Sequence, residues 1–295
     1  MKKDRQIFAL GFFDGVHLGH QALLQHCCQL AEELGIQTAA ITFLQHPQSL
    51  FSSAPPTLIN TVADREMLLH RFGMASVYKL PVTQEVMSTG WVSFLEGLLE
   101  KGAAGFVCGY DFRFGHRGEG TAETLAAFCR ERDLPYRIVP EQTVEGIRIS
   151  STYIRQLMEA GEMEKAVHFL GHAHIFTGTV IPGRQLGRTI GIPTANLQIP
   201  DGVIVPKFGV YACKTWVDGR EYLAVTNIGT RPTVNGHHVT VEAWLPNFDG
   251  DLYGRELTLA FHAFLRPEKK FPSLAALQKE IWKNAAQTRK LLEKT

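Results

Sequence analysis

The chain is predicted to fold as an α/β domain on a parallel sheet, followed by a β-rich antiparallel barrel or sandwich with a closing helix. Up to about residue 172, short apolar runs alternate with amphipathic helical stretches, the pattern of successive βαβ units. From Ile175 the texture changes to short strands separated by glycine turns, with a long helix only at Leu274–Leu292. A length of 295 residues, 45% hydrophobic and 20% charged, is sufficient for two cores. The expected division is 1–172 and 173–295.

In the first domain, Ile7–Leu10 reads as a buried strand and Gln21–Leu34 as a helix, with Gly11–His20 between them. Gln37–Phe43 is a second strand, Asp64–Phe72 a helix behind the loop Leu44–Thr61, and Val77–Leu80 a third strand. Trp91–Lys101 places Trp91, Phe94, Leu95 and Leu98 on one helical face. Gly105–Cys108, a helix over Thr121–Arg132 and a strand near Tyr136–Val139 continue the alternation. Ser150 or Ser151 caps a helix reaching Ala160, and Met163–Leu170 pairs with it. In the second domain the strands are Ile175–Ile181, Gly209–Val217, Tyr222–Ile228, Val239–Trp244 and Leu257–Leu265. Asp218-Gly219, Asn235-Gly236 and Asp249-Gly250 mark turns between them.

Charge and cysteine content narrow the function classes. Thirty basic against 29 acidic residues give no whole-chain reason for a nucleic-acid or membrane partner, although the first 172 residues carry net −4 and the rest net +5. Five cysteines, an odd number without C-x-x-C spacing, fit neither a disulfide framework nor a structural zinc site. No signal-peptide core follows Met1–Arg5 and no apolar run has membrane-spanning length. A cytoplasmic enzyme acting on small molecules is expected; oligomeric state is left open.

Three stretches of the first domain suit a phosphate. Gly11-Phe-Phe-Asp-Gly-Val-His-Leu-Gly-His20 is a glycine-rich turn between strand and helix, where backbone N–H groups and the helix dipole favour an anion beneath His17 and His20. The loop Gly109–Gly120 carries Phe112 and Phe114, whose faces suit an adenine or flavin ring. Ile149-Ser-Ser-Thr-Tyr-Ile-Arg155 adds hydroxyls and Arg155 at a helix mouth. Together these predict attack on the α-phosphorus of ATP by another phosphate, with His17, His20 and Arg155 neutralising charge and Mg²⁺ bridging the triphosphate.

In the second domain, Gly183–Thr189 is one residue short of a Walker A loop, places Arg188 where the lysine belongs, and meets Pro193 too soon for a helix to follow. It can still wrap phosphates, while Thr194 and Asn196 offer hard oxygen ligands for Mg²⁺. Glu242 is the candidate base for an acceptor hydroxyl.

The ordered motifs Gly11–His20, Gly109–Gly115, Ile149–Arg155, Gly187–Asn196, Asn227–Thr233 and Asp251–Gly254 closely resemble those of bifunctional bacterial riboflavin kinase/FAD synthetases. The resemblance implies a Rossmann-like FMN adenylyltransferase domain and a six-stranded split-barrel riboflavin kinase domain, converting riboflavin to FMN and FMN to FAD with ATP. It implies ATP and phosphate contacts at Gly11, Asp14, Gly19, Ser151, Thr152, Gly183, Gly187, Arg188, Gly191 and Thr194. Asp111, Phe112, Phe114 and Arg266 would line flavin or nucleotide pockets, Thr194 and Asn196 would bind Mg²⁺, and His17, His20, Arg155 and Glu242 would be the catalytic groups. Gln45, His172-Ala173, Pro246-Asn247 and Asn284 depart from the family pattern. Other readings are a different nucleotidyl acceptor for the first domain, or a flavin-binding regulator without catalysis.

Overall fold

The structure, a computed structural model, describes residues 5–183, 186–233 and 236–293; the side chains at 186 and 231–238 also lie outside it. The residues preceding Arg5, two residues of the glycine loop (184–185) and Asn235 of the expected Asn235-Gly236 turn are therefore outside the described residues. By contacts the chain forms two compact units, Met1–Leu58 with Val62–Ser151, and Ile59–Thr61 with Thr152–Thr295.

The first unit runs β1 (Gln6–Leu10), α1 (Leu18–Leu34), β2 (Gln37–Phe43), α2 (Val62–Arg71), β3 (Ser76–Leu80), α3 (Gln84–Met87), α4 (Trp91–Glu100), β4 (Ala103–Gly109), α5 (Ala122–Glu131) and β5 (Tyr136–Val139). A small hairpin, β6 (Thr143–Val144) and β7 (Ile147–Arg148), follows. The five main strands form a parallel sheet in the order β3-β2-β1-β4-β5. β1 is buried along its whole length, as a run of Ile, Phe, Ala and Leu between two neighbouring strands requires. The strand order reverses at β1 and β4, so the loops after their carboxyl ends diverge and leave a crevice between them. Those loops are the ones that begin at Gly11 and Tyr110.

The second unit contains α6 (Ser151–Ala160), whose first residue belongs to the first unit, then α7 (Met163–Leu170), β8 (His174–Ile181), α8 (Leu186–Thr189), β9 (Thr194–Leu197), β10 (Gly209–Val217), β11 (Arg220–Thr233), β12 (Gly236–Trp244), β13 (Glu256–Arg266) and α9 (Leu274–Leu292). Six antiparallel strands close into a barrel in the order β10-β11-β12-β9-β8-β13, which resolves the barrel-or-sandwich alternative. β9 follows Pro193 and is not among the strands expected from the sequence. It is short, but its pairing with both β8 and β12 completes the barrel. α9 packs on β10 and β11.

The contact division falls earlier than the boundary expected near His172. α6 and α7 bury Ile154, Leu157, Met158, Phe169 and Leu170, and α7 packs on β13. Lys207 Nζ donates to the Ala160 carbonyl at 3.1 Å, and the Phe264 N–H donates to Glu164 Oε2 at 3.4 Å. The two helices thus belong by packing to the barrel unit.

His174 on β8 is fully buried, with neither ring nitrogen hydrogen-bonded and the ring 5.7 Å from that of Phe261. Burial, reinforced by the neighbouring His172, pushes its pKa down to about 3. The unfolded chain therefore binds a proton near pH 6.5 that the folded chain refuses. Stability is full above pH 6.5 and falls as the pH drops toward 3. By pH 5 the loss is about 2 kcal/mol. His174→Leu is expected to flatten this part of the stability profile in denaturant titrations between pH 5 and 7; an unchanged pH slope would contradict the assignment.

Candidate functional sites

In the first unit, the turn after β1 is held in an unusual backbone. Phe13 (φ 59°), Gly15 (φ 82°) and Val16 (φ 40°) are all left-handed, and for the β-branched Val16 this is strained, at a cost of about 1–3 kcal/mol. Surrounding bonds fix it. Gln21 Nε2 donates to the Val16 carbonyl at 2.8 Å, Thr42 Oγ1 to the Phe12 carbonyl at 2.7 Å, and Ser151 Oγ to the Asp14 carbonyl at 2.8 Å. His17 caps α1, its Nδ1 accepting from the His20 N–H at 3.3 Å. Its neutral tautomer thus carries the proton on Nε2. The His17 and His20 rings stack at 3.6 Å between centroids. A Cβ on Gly19 would stand 3.3 Å from the His17 ring, so the glycine leaves room for this stack.

His20 is partly exposed as a residue, but its Nδ1 is shut off from solvent without a partner. Burial, then His17, then Arg65 hold its pKa well below the ordinary imidazole value. At neutral pH the free site therefore presents a neutral His20.

Arg65 was not singled out in the sequence, where a charged residue in a helical pattern reads as a solvated face. It is 0% exposed, and its guanidinium donates to the carbonyls of Phe12 (3.1 Å) and Phe43 (2.6 Å). Burial brings its pKa down to about 10, opposed by the Asp14 carboxylate. Arg65 thus fastens the loops after β1 and β2 from beneath. Arg65→Met should destabilise the unit by about 3 kcal/mol, because the two part-buried carbonyls and the buried Asp14 lose their cation. Denaturant unfolding checks this; a change below about 0.5 kcal/mol would show that the cation is dispensable.

Gly11, His17, Gly19, His20, Asp111, Phe112 and Ser151 line one cleft of about 220 Å³. Asp14 is buried below it and meets the site through its carbonyl and Arg65. Phe114 is 6% exposed, stacked on Phe112 (5.6 Å) within the core and bridged to Gly120, and it does not line this cleft. Thr152 and Arg155 fall in the second unit, where Arg155 Nη2 donates to Thr152 Oγ1 at 3.2 Å, and neither lines this cleft.

In the barrel, strand register gathers the second set. Asn196 on β9 lies opposite Glu242 on β12, and Glu242 lies opposite Asn227 on β11. Thr194 is opposite Trp244, two residues along on the same face. These residues line a cleft of about 380 Å³ under α9 whose walls include Ile192, Val225 and Ile281. Asn227, the first residue of the Asn227–Thr233 motif, had been given no role; only the register reveals it beside Glu242. Arg266 lines this same cleft, its Nε donating to Asn284 Oδ1 at 3.1 Å, with Glu280 at 3.6 Å. It is therefore in a different cleft from Asp111 and Phe112. Asn284, one of the departures from the family pattern, is buried and serves as that acceptor. Gln45, another, accepts from the Val82 N–H at 3.3 Å.

A second barrel cleft of about 310 Å³ is lined by Arg188, Thr194, Asp249, Asp251 and Tyr253, so Thr194 borders both. Gly187 lines the first barrel cleft, and a Cβ there would lie 2.1 Å from the Ile192 carbonyl. A Cβ on Gly183 would lie 2.3 Å from Asn196 Nδ2. Gly191, at φ 70°, lines neither cleft.

The FAD synthetase family model matches residues 1–153 and the riboflavin kinase model residues 170–292. A curated relative in Listeria monocytogenes, a bifunctional riboflavin kinase/FMN adenylyltransferase, is 34% identical over 98% of this chain and 93% of its own. The chain belongs to this bifunctional family. Relatives of the same name in Bacillus subtilis (33% identical, covering 95% of this chain and 90% of its own) and Pseudomonas fluorescens (34%, 97% and 92%) agree. A crystal structure described as a macrolide-efflux protein from Streptococcus pneumoniae is also similar, with TM-score 0.87, 30% identity, and coverage of 98% of this chain and 95% of that one. Among the described residues of this family member, no helix is long and apolar enough to cross a membrane.

Proposed function

We propose that the two activities of the family, riboflavin phosphorylation and FMN adenylylation, take place in separate clefts, one set in each unit. The observation that carries this is the distribution of groups: the histidine pair and Ser151 share the first-unit cleft, whereas Thr194, Asn196 and Glu242 share the barrel cleft.

In the barrel, riboflavin lies in the apolar cleft under α9 and ATP on the Arg188 side, with Thr194 where the two meet. Glu242 accepts the proton of the ribityl 5′-hydroxyl, whose oxygen attacks the γ-phosphorus, and ADP leaves. Thr194 and Asn196 present a hydroxyl and an amide oxygen, hard donors that fit Mg²⁺ and would hold it. When bound, Mg²⁺ neutralises triphosphate charge.

In the first unit, an FMN phosphate oxygen attacks the α-phosphorus of ATP and pyrophosphate leaves. His17 donates from Nε2. A polyanion above the stacked rings opposes the burial and the His17 and Arg65 charges that together keep His20 neutral, so ATP binding is accompanied by proton uptake. Ser151 and the turn N–H groups orient the phosphates.

The test supplies each flavin separately. Riboflavin with ATP and Mg²⁺ should release ADP, and FMN with ATP and Mg²⁺ should release pyrophosphate. Failure of FMN to react while another phosphate acceptor does would reassign the first unit.

A further inference from the structure

Among the described residues lining the first-unit cleft, Arg148 is the only lysine or arginine. Arg65 lies wholly buried with its guanidinium committed to two carbonyls, and His20 is held neutral. A cleft meant for two phosphate-bearing substrates therefore has one accessible permanent cation.

Arg148 ends the small hairpin, immediately before Ile149-Ser150-Ser151. Its Nη2 donates to Asp111 Oδ2, its Nε lies 3.4 Å from Glu141 Oε1, and its guanidinium lies 5.6 Å from the Tyr110 ring. Tyr110 in turn donates to Glu141. All four residues line the cleft, and the side chains of Arg148 and Asp111 are each 54% exposed. Ion pairs so exposed contribute little, about 0–1 kcal/mol. A phosphate offers a guanidinium more charge and a matching two-point geometry. The pairing is thus one that a substrate can displace cheaply.

We propose that Arg148 is a substrate-binding residue of the adenylyl-transfer site, held on Asp111 and Glu141 in the free protein and transferred to a substrate phosphate when the cleft fills. The two carboxylates then act as internal competitors of that phosphate. This rests on the adenylyltransferase reading of the first unit.

The test uses the full chain. Arg148→Ala, Arg148→Lys and Glu141→Gln are compared with wild type in FMN adenylylation, varying ATP and FMN in turn, with ATP and FMN binding also measured by calorimetry. Arg148→Ala should raise one KM by about tenfold or more, and Arg148→Lys should recover part of it. Glu141→Gln should lower that same KM. The substrate whose KM moves identifies the phosphate, ATP's or FMN's. Riboflavin phosphorylation and the melting temperature should stay unchanged. Both KM values within about twofold of wild type in Arg148→Ala, or a raised KM in Glu141→Gln, would overturn the proposal and leave a structural ion pair. If wild type forms no FAD, the adenylyltransferase reading itself fails. Calorimetry then still decides whether Arg148 binds a phosphate.

Discussion

Glu242→Gln is expected to lower riboflavin phosphorylation by about 10²–10⁴-fold, the contribution of a positioned general base, while FMN adenylylation proceeds at the wild-type rate. Gln keeps the volume and one acceptor oxygen but cannot take the ribityl proton. The barrel should tolerate it, because Glu242 is only half-buried and its strand neighbours Asn196 and Asn227 are both amides. Rates for riboflavin and FMN, measured on the same preparation, check this. Equal damage to both steps would mean that Glu242 does not serve the kinase alone.

His20→Ala is expected to have the opposite effect: FMN adenylylation falls by about 10²–10³-fold and riboflavin phosphorylation is unchanged. Loss of the ring removes both a phosphate partner and the stack that orients His17. His20→Asn separates these roles, since it keeps a polar group without an imidazole. If His20→Ala retains adenylylation, the stacked pair is a structural cap on α1. Activity of the wild type should also show a dependence on proton uptake, because the free His20 is neutral at pH 7 and a bound polyanion favours its charged form.

Much of this arrangement is legible in the sequence because local chemistry and long-range structure agree there. β1, the glycine turn and α1 follow from one apolar run, two glycines and a helical period, and the crevice follows from parallel alternation. Residue type and motif single out Glu242 and Asn196 in the sequence, although only strand register shows that they lie opposite one another. The unread part has identifiable causes. Arg65 sits on α2 and reaches loops distant in sequence, so its burial depends on tertiary packing. β9 has only four residues after Pro193, and its strand character comes from its two partners. β6 and β7 are pairs of residues whose turn, Glu145 and Gly146, is left-handed, too short a pattern to carry periodicity; Arg148 was missed with them. An aromatic in a glycine loop is ambiguous until its direction is known, and Phe114 packs in the core cluster with Phe106 and Leu125. The helices α6 and α7 follow a βα alternation in sequence, yet by contacts they group with the barrel, α7 packing on β13 and β8.

The most direct measurement of the two-site account is a single time course: the full chain with riboflavin, ATP and Mg²⁺, with flavins separated by chromatography. FMN should appear first and FAD after a lag. In Glu242→Gln FMN should form from riboflavin about 10²–10⁴-fold more slowly, yet added FMN should still become FAD. Absence of FMN from the wild type, or loss of both conversions in Glu242→Gln, would contradict the account.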